Sequence, residues 1–153
     1  MPEQETLERA EQDREEGKAP STQAGEFVRE EIHHVREGKH GARSAKQAIA
    51  IGLSKARRSG VELPPPEKGR AGTKRKAAGD LRKGRQRRRT KPSPARSRAT
   101  RRALEDEGRS AGSHRALSRQ ARSARRPSRS GRSRASASSQ RTTKRGGSRS
   151  RRK

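Results

Sequence analysis

The sequence contains no cysteine, tryptophan or tyrosine, and Phe27 is its only aromatic residue. Without cysteine, the chain cannot form disulfides, thiolate zinc sites or a cysteine nucleophile. Hydrophobic residues make up 22% of the composition, and no apolar run approaches the roughly 20 residues of a bilayer-spanning helix. Because so little apolar surface cannot offset the entropy lost on folding, we expect a cytoplasmic chain that is mostly disordered with small all-α elements.

Negative charge is absent after Glu107, whereas 16 lysines and arginines follow that residue. Residues 1–60 contain 11 basic and 11 acidic side chains, so the whole net charge of +26 lies on residues 61–153. Such a density of positive charge attracts nucleic acid, because each neutralised phosphate releases counterions. The sequence therefore predicts a neutral head and a cationic arm that binds nucleic acid.

Apolar residues recur at helical spacing between residues 20 and 66. Pro20 and Gly38 are typical of the start and end of a first helix, and Ser44 with Gln47 forms a capping box for a second helix. The predicted core of this helix-loop-helix hairpin consists of Val28, Ile32, Val35, Ile49 and Leu53, with Phe27 at its border. These side chains are too few for an independently stable fold, so either the hairpin is only marginally stable or a second copy or a protein partner completes its core.

Composition divides the chain into five segments. They are a charged disordered N-terminus (1–19), the helical hairpin (20–66), a basic Gly/Pro linker (67–96), a weaker helical pair (97–126) and a disordered Ser/Arg-rich tail (127–153). The weaker pair echoes the hairpin, since EGRSAGSHRAL follows the order of EGKHGARSAKQAI with one gap. A true internal repeat and a chance match are both open interpretations.

The cationic arm supplies the candidate contacts to nucleic acid. They are Lys74, Arg75, Lys76, Arg85, Arg87, Arg88, Arg89, Lys91, Arg125, Arg126, Arg129, Arg132 and Arg134. Arginine binds phosphate through two hydrogen bonds and reaches into narrow minor grooves, which favours DNA. The Ser-Arg dipeptides of the tail resemble RNA-associated arms, so RNA stays open as a partner. The absence of tyrosine and tryptophan argues against a folded domain that stacks RNA bases.

Patterns of catalytic and metal-binding residues are missing from the sequence. The carboxylate pairs Glu15-Glu16 and Glu30-Glu31 lie in charged segments without an apolar pocket to shift a pKa. The four histidines are His33, His34, His40 and His114. Their spacing matches no zinc motif, and neighbouring histidines on a helix point about 100° apart. We therefore expect no enzyme activity, no metal and no cofactor.

The stretch EFVREEIHHVREGKHGARSAKQAIAIGLSKARRSGVELPPP resembles a family of small basic bacterial proteins of unknown function, some of them labelled plasmid stabilisation proteins. The segment SRATRRALEDEGRSAGSHRALSRQARSA resembles a second block shared by that family. The resemblance implies a bacterial cytoplasmic protein that associates with the nucleoid or a plasmid. It implies no reaction and no catalytic residue.

Charge and hairpin together predict a non-specific, charge-driven DNA-associating protein of the histone-like or nucleoid-associated kind. In a first alternative, the hairpin is an adaptor for a protein partner and the arm is a nucleic-acid tether. In a second alternative, the arm associates with RNA. Nucleic acid is a partner in each case, a second copy or a protein partner through residues 20–66 is possible, and no membrane partner is expected.

Overall fold

The computed structural model describes residues 2–86 and 93–125, and the chain divides into two units at residue 120. In the described residues there are six α-helices, a one-turn 3-10 helix and no strand. The helices are α1 (Gln4–Glu15), α2 (Pro20–Glu37), α3 (Ala45–Arg58), α4 (Ala71–Arg85), α5 (Pro94–Glu105) and α6 (His114–Arg125). The 3-10 helix, Ser110–Gly112, precedes α6, and only the end of α6 is described in the second unit.

Helices α2 and α3 form a hairpin whose ends follow from local chemistry. Pro20 occupies the first turn of α2, where its missing N–H costs nothing, and Gly38 ends the helix in a left-handed conformation with φ of 78°. At the start of α3, the Ser44 hydroxyl oxygen accepts a hydrogen bond from the backbone N–H of Gln47 at 3.2 Å. These ends hold the two helices side by side across a short loop.

The hairpin packs closely because α3 carries Gly52 on its inner face. A Cβ atom at this position would lie 2.7 Å from the Cα of Val28 and 2.9 Å from the carbonyl oxygen of Phe27. The core is therefore built largely from small side chains between closely approaching backbones. Its two clusters contain Ala10, Ala24, Phe27, Ala56 and Val61, and Val35, Ala42, Ala48 and Ala111.

This close approach changes which predicted core residues are buried. Phe27, expected at the border of the apolar stripe, is 1% exposed, and Val35 is fully buried. The other four predicted core residues, Val28, Ile32, Ile49 and Leu53, are only half-buried. The larger aliphatic side chains lie beside the interface because alanine and glycine occupy its centre.

Helices α1 and α4 flank the hairpin, α1 against α2 and α4 against α3. Highly charged α1 buries only Thr6, Ala10 and Asp13. On α4, the buried positions are Ala77, Asp80 and Gly84. A Cβ atom at Gly84 would overlap the carbonyl oxygen of Arg57, so α4 and the end of α3 touch through their backbones.

Residues 104–113, which comprise the end of α5 and the segment that connects it to α6, cover the loop of the hairpin. The backbone N–H of Gly41 donates to the carbonyl oxygen of Leu104 at 2.8 Å, and that of Ala42 donates to Gly108 at 3.0 Å. The Arg36 guanidinium donates to the carbonyl oxygen of Gly112 at 2.7 Å. The EGRSAG segment thus docks onto the similar EGKHGA segment near the hairpin loop.

The predicted fold class, mostly disordered with small all-α elements, is wrong for the described residues, which are mostly helical. Helix α1 lies within the expected disordered N-terminus, and α4 lies within the expected linker 67–96. The prediction of disorder relied on the low content of large apolar side chains. These helices instead pack through alanine, glycine and ion pairs, which such a count does not include. The tail, 127–153, lies outside the described residues.

Candidate functional site

Helix α4 presents an exposed cationic surface. Its basic side chains are Lys74, Arg75, Lys76, Arg82, Lys83 and Arg85, and all six are exposed. Its one acidic side chain, Asp80, is 4% exposed and accepts from Ser54 at 2.7 Å and from Arg58 at 2.8 Å. The negative charge of α4 is thus turned toward α3, and the positive charges face solvent.

Of these six cations, Arg85 is paired with a carboxylate. Its guanidinium donates to Glu62 at 2.9 Å, and these hydrogen bonds hold the pKa of the Glu62 carboxyl below its ordinary value. Among the described residues, the other five cations of α4 have no carboxylate oxygen within 4.0 Å. We call these five, Lys74, Arg75, Lys76, Arg82 and Lys83, the α4 cation face.

Helices α5 and α6 add further arginines and bury none of their side chains. They carry Arg96, Arg98, Arg101, Arg102, Arg115, Arg119, Arg122 and Arg125. Steps of four and three residues place Arg115, Arg119 and Arg122 on one side of α6. Both helices begin with a capping serine, since Ser93 and Ser113 accept backbone hydrogen bonds at 3.3 Å. Apart from Arg125, sequence reasoning missed these arginines, although their helical spacing was visible.

The predicted nucleic-acid contacts fall at three places on the described helices and in the residues outside them. Lys74, Arg75 and Lys76 lie together near the start of α4, Arg85 ends α4, and Arg125 ends α6. Arg87, Arg88, Arg89, Lys91, Arg126, Arg129, Arg132 and Arg134 lie outside the described residues. The structure therefore places five of the predicted contacts on ordered helices.

A cluster of buried charges lies between α2 and α3. The carboxylates of Glu30 and Glu31 are 2% and 1% exposed, so both acids are withdrawn from water. The Lys55 ammonium lies 2.6 Å from Oε2 of Glu31 and 3.2 Å from Oε1 of Glu30. Burial lowers the pKa of Lys55, but the close contact with Glu31 and the charges of both carboxylates outweigh it, and the pKa is raised. Lys55 is therefore held in its charged form.

Two histidines complete this buried charge cluster. Nε2 of His40 lies 3.2 Å from Oε1 of Glu31, and Nδ1 of His34 lies 3.9 Å from Oε1 of Glu30. The two imidazole rings are 6.0 Å apart in an edge-on arrangement. Sequence reasoning treated Glu30-Glu31 as a surface pair. The signal for burial was the spacing of Glu31, which lies four residues from both Phe27 and Val35 on α2.

Glu3 connects His34 to the protein surface. Its carboxylate accepts from Lys39 at 2.9 Å and lies 2.8 Å from Nε2 of His34, and the hydrogen bonds from Lys39 and His34 lower the pKa of Glu3 to about 2. Because this pKa is lowered on folding, ionised Glu3 stabilises the folded state at pH values above its ordinary pKa of 4.5. That stabilisation is lost as the pH falls through the folded-state pKa of about 2.

Replacing Lys39 with glutamine is expected to raise the pKa of Glu3 back toward 4.5, because Lys39 is the largest cause of the shift. A carboxyl NMR titration measures the change, and Lys46→Gln, at an exposed position outside these contacts, should leave the pKa of Glu3 unaltered. Titration of Glu3 near 4.5 in the unsubstituted protein would contradict the prediction.

In the described ranges, no helix is both long and apolar enough to cross a bilayer. These ranges define a helical protein with exposed basic helices and a buried charge cluster. Residues 4–68, which include α1 to α3, match the model of DUF6496, a family of unknown function. The match covers less than half of the chain and leaves out α4, α5 and α6. No curated protein and no solved structure matches the chain.

Proposed function

We propose that this protein associates with DNA through charge and without sequence specificity, as a nucleoid- or plasmid-associated protein of the cytoplasm. The observation that carries the proposal is the division of charge on α4. All six basic side chains of this helix are exposed, whereas its only acid is buried against α3. An ordered helix with this arrangement presents positive charge to a phosphate backbone without an internal counter-charge.

Phosphate neutralisation explains how such a surface binds. Each cation that contacts a phosphate releases condensed counterions, so affinity falls steeply as salt rises. The α4 cation face and the arginines of α5 and α6 supply contacts at set spacings along three helices. The arginines bind phosphate through paired hydrogen bonds. Recognition of the phosphate backbone carries no sequence information, so the binding is non-specific.

The test measures binding of the full chain to a labelled DNA duplex across a salt series. The variant Lys74→Gln/Arg75→Gln/Lys76→Gln removes three charges from the α4 cation face. We expect the slope of log K against log salt to become shallower by roughly two to three, at about 0.9 for each lost phosphate contact. The unsubstituted chain should show a steep slope under the same conditions.

The matched control removes three exposed charges from the hairpin, as Arg29→Gln/Arg43→Gln/Lys46→Gln. It changes the net charge by the same amount and should leave the slope nearly unchanged. Equal losses in both variants would show that net charge alone attracts DNA, and no loss in either would place the contacts away from α4. A duplex RNA competitor at matched salt tests the RNA alternative, which gains support if RNA displaces the DNA more strongly than DNA itself does.

A further inference from the structure

The buried charge cluster contains three side chains with the chemistry of a metal site. One ligand atom each from Glu31, His34 and His40 lies within 4.8 Å of the others. A tetrahedral zinc ion with bonds of about 2.1 Å holds its ligands about 3.4 Å apart, so small side-chain rotations would bring these atoms to coordination distance. We propose that Glu31, His34 and His40 bind a divalent first-row transition metal ion, with Zn²⁺ the preferred ion.

The Glu31 carboxylate is an independent sign of a ligand at this place. Both of its oxygens are buried, and neither accepts a hydrogen bond of regular geometry. Lys55 and His40 lie within ion-pair distance of them but off the hydrogen-bonding directions. A buried carboxylate normally has its oxygens satisfied, because burial without such partners is costly. A metal ion on Oε1 would satisfy this carboxylate while Lys55 stays at Oε2.

Both histidines are oriented as metal ligands usually are. Nε2 of His34 lies 2.8 Å from the Glu3 carboxylate, and Nδ1 of His40 lies 3.0 Å from the carbonyl oxygen of Gly41. A ring N–H donated to each of these acceptors leaves the lone pair of the other ring nitrogen directed at the cluster. Metal-binding histidines commonly donate their second N–H to a carboxylate or a backbone carbonyl in this way.

The donor set and the charge of the cluster restrict the ion. Two imidazoles and one carboxylate suit zinc and related transition metals, whereas Ca²⁺ and Mg²⁺ prefer sites made of oxygen ligands. Glu30 and Glu31 bring two negative charges and Lys55 brings one positive charge, so a divalent cation is attracted to the cluster. The Lys55 ammonium opposes it in part, and we therefore expect weaker binding than at a structural zinc site.

The experiment uses the full-length protein after treatment with a chelator and measures Zn²⁺ binding by calorimetry and Co²⁺ binding by visible absorption. We expect one equivalent to bind, with the absorption of a four-coordinate Co²⁺ complex. His40→Gln and Glu31→Gln should each weaken binding at least about tenfold, since each removes a ligand. The matched control is His33→Gln, because His33 lies on α2 beside Glu31 and His34 but its side chain is 65% exposed. Among the described residues, its one ion-pair partner is Glu37. The His33→Gln variant should bind as the unsubstituted protein does.

Thermal unfolding with and without Zn²⁺ separates ligand loss from misfolding. The melting temperature of the unsubstituted protein should rise with Zn²⁺ concentration, and that of a folded His40→Gln variant should rise less at the same concentrations. If His40→Gln fails to fold, Glu3→Gln replaces it, because Glu3 is half exposed and contacts His34 without being one of the three proposed ligands. This variant should fold and bind Zn²⁺ about tenfold more weakly. Equal Zn²⁺ affinity in the control and the ligand variants, or no binding of either ion, would overturn the proposal.

Discussion

Replacing Lys55 with methionine is expected to lower the free energy of unfolding by about 3 kcal/mol, because it leaves two buried carboxylates without their cation. Methionine keeps the apolar stem of the side chain, so the loss reports on charge more than on packing. We place the effect at the low end of the range for broken buried ion pairs, since the Lys55 side chain is 22% exposed. Urea unfolding followed by circular dichroism, with chelator present, measures the change.

The control for this substitution lies on the same helix. Lys46→Met removes an exposed lysine of α3 and should change stability by less than about 0.5 kcal/mol. Adding Glu31→Gln to Lys55→Met should restore part of the loss, because it removes one of the uncompensated charges. Since the pKa of Lys55 is raised on folding, its contribution to stability is fully present at pH values below its ordinary pKa of 10.5. That contribution is lost as the pH rises through the pKa of Lys55 in the folded protein. A Lys55→Met protein as stable as the unsubstituted chain would contradict the role of the cluster in stability.

The ends of the hairpin helices were readable in the sequence because each end depends on neighbouring residues. Pro20, Gly38 and Ser44 act on backbone groups within one helical turn. Such local signals do not depend on how the rest of the chain packs. The packing of α4 was not readable, because it depends on Gly84 meeting the backbone of Arg57 across a long sequence separation.

The buried charge cluster was missed for a related reason. The stripe chosen from the sequence passed through Val28 and Ile32, whereas the buried side of α2 passes through Phe27 and Glu31. Both sides include Val35. In the middle of the helix, the buried residues each precede the predicted ones by one position, which corresponds to about 100° of rotation around the helix axis. Judged by hydrophobicity alone, the side of α2 that lacks a glutamate is the better candidate for burial. The correct side becomes acceptable only when Lys55 of α3 compensates the charge, and a single helix contains no information about that partner.

Order in α4 matters for the proposed function, because an ordered helix sets the spacing of its cations. The expected linker and the observed helix have the same net charge, so charge alone cannot distinguish how they bind DNA. A flexible linker and a docked helix differ in the conformational entropy that they lose on binding DNA, since the docked helix has already lost part of its conformational freedom on folding. Undocking α4 without changing its charge therefore tests whether its order contributes to affinity.

Gly84→Ala is expected to destabilise the protein by about 1–3 kcal/mol, because the new methyl group overlaps the carbonyl oxygen of Arg57 and α4 must shift away. Alanine favours a helix more than glycine does, so any loss comes from packing against α3 and not from helix propensity. Amide hydrogen exchange should show faster exchange in α4, and urea unfolding gives the free energy.

Gly79→Ala is the matched control on the same helix, since a Cβ atom there meets nothing within 4 Å. This substitution should stabilise α4 by roughly 0.5–1 kcal/mol. Neither variant changes the charge of the protein. Weaker DNA binding by Gly84→Ala than by Gly79→Ala at equal salt would mean that the docked helix contributes to affinity. Equal affinities, together with fast exchange in α4 of the Gly84→Ala protein, would mean that its cations bind phosphate equally well when the helix is undocked.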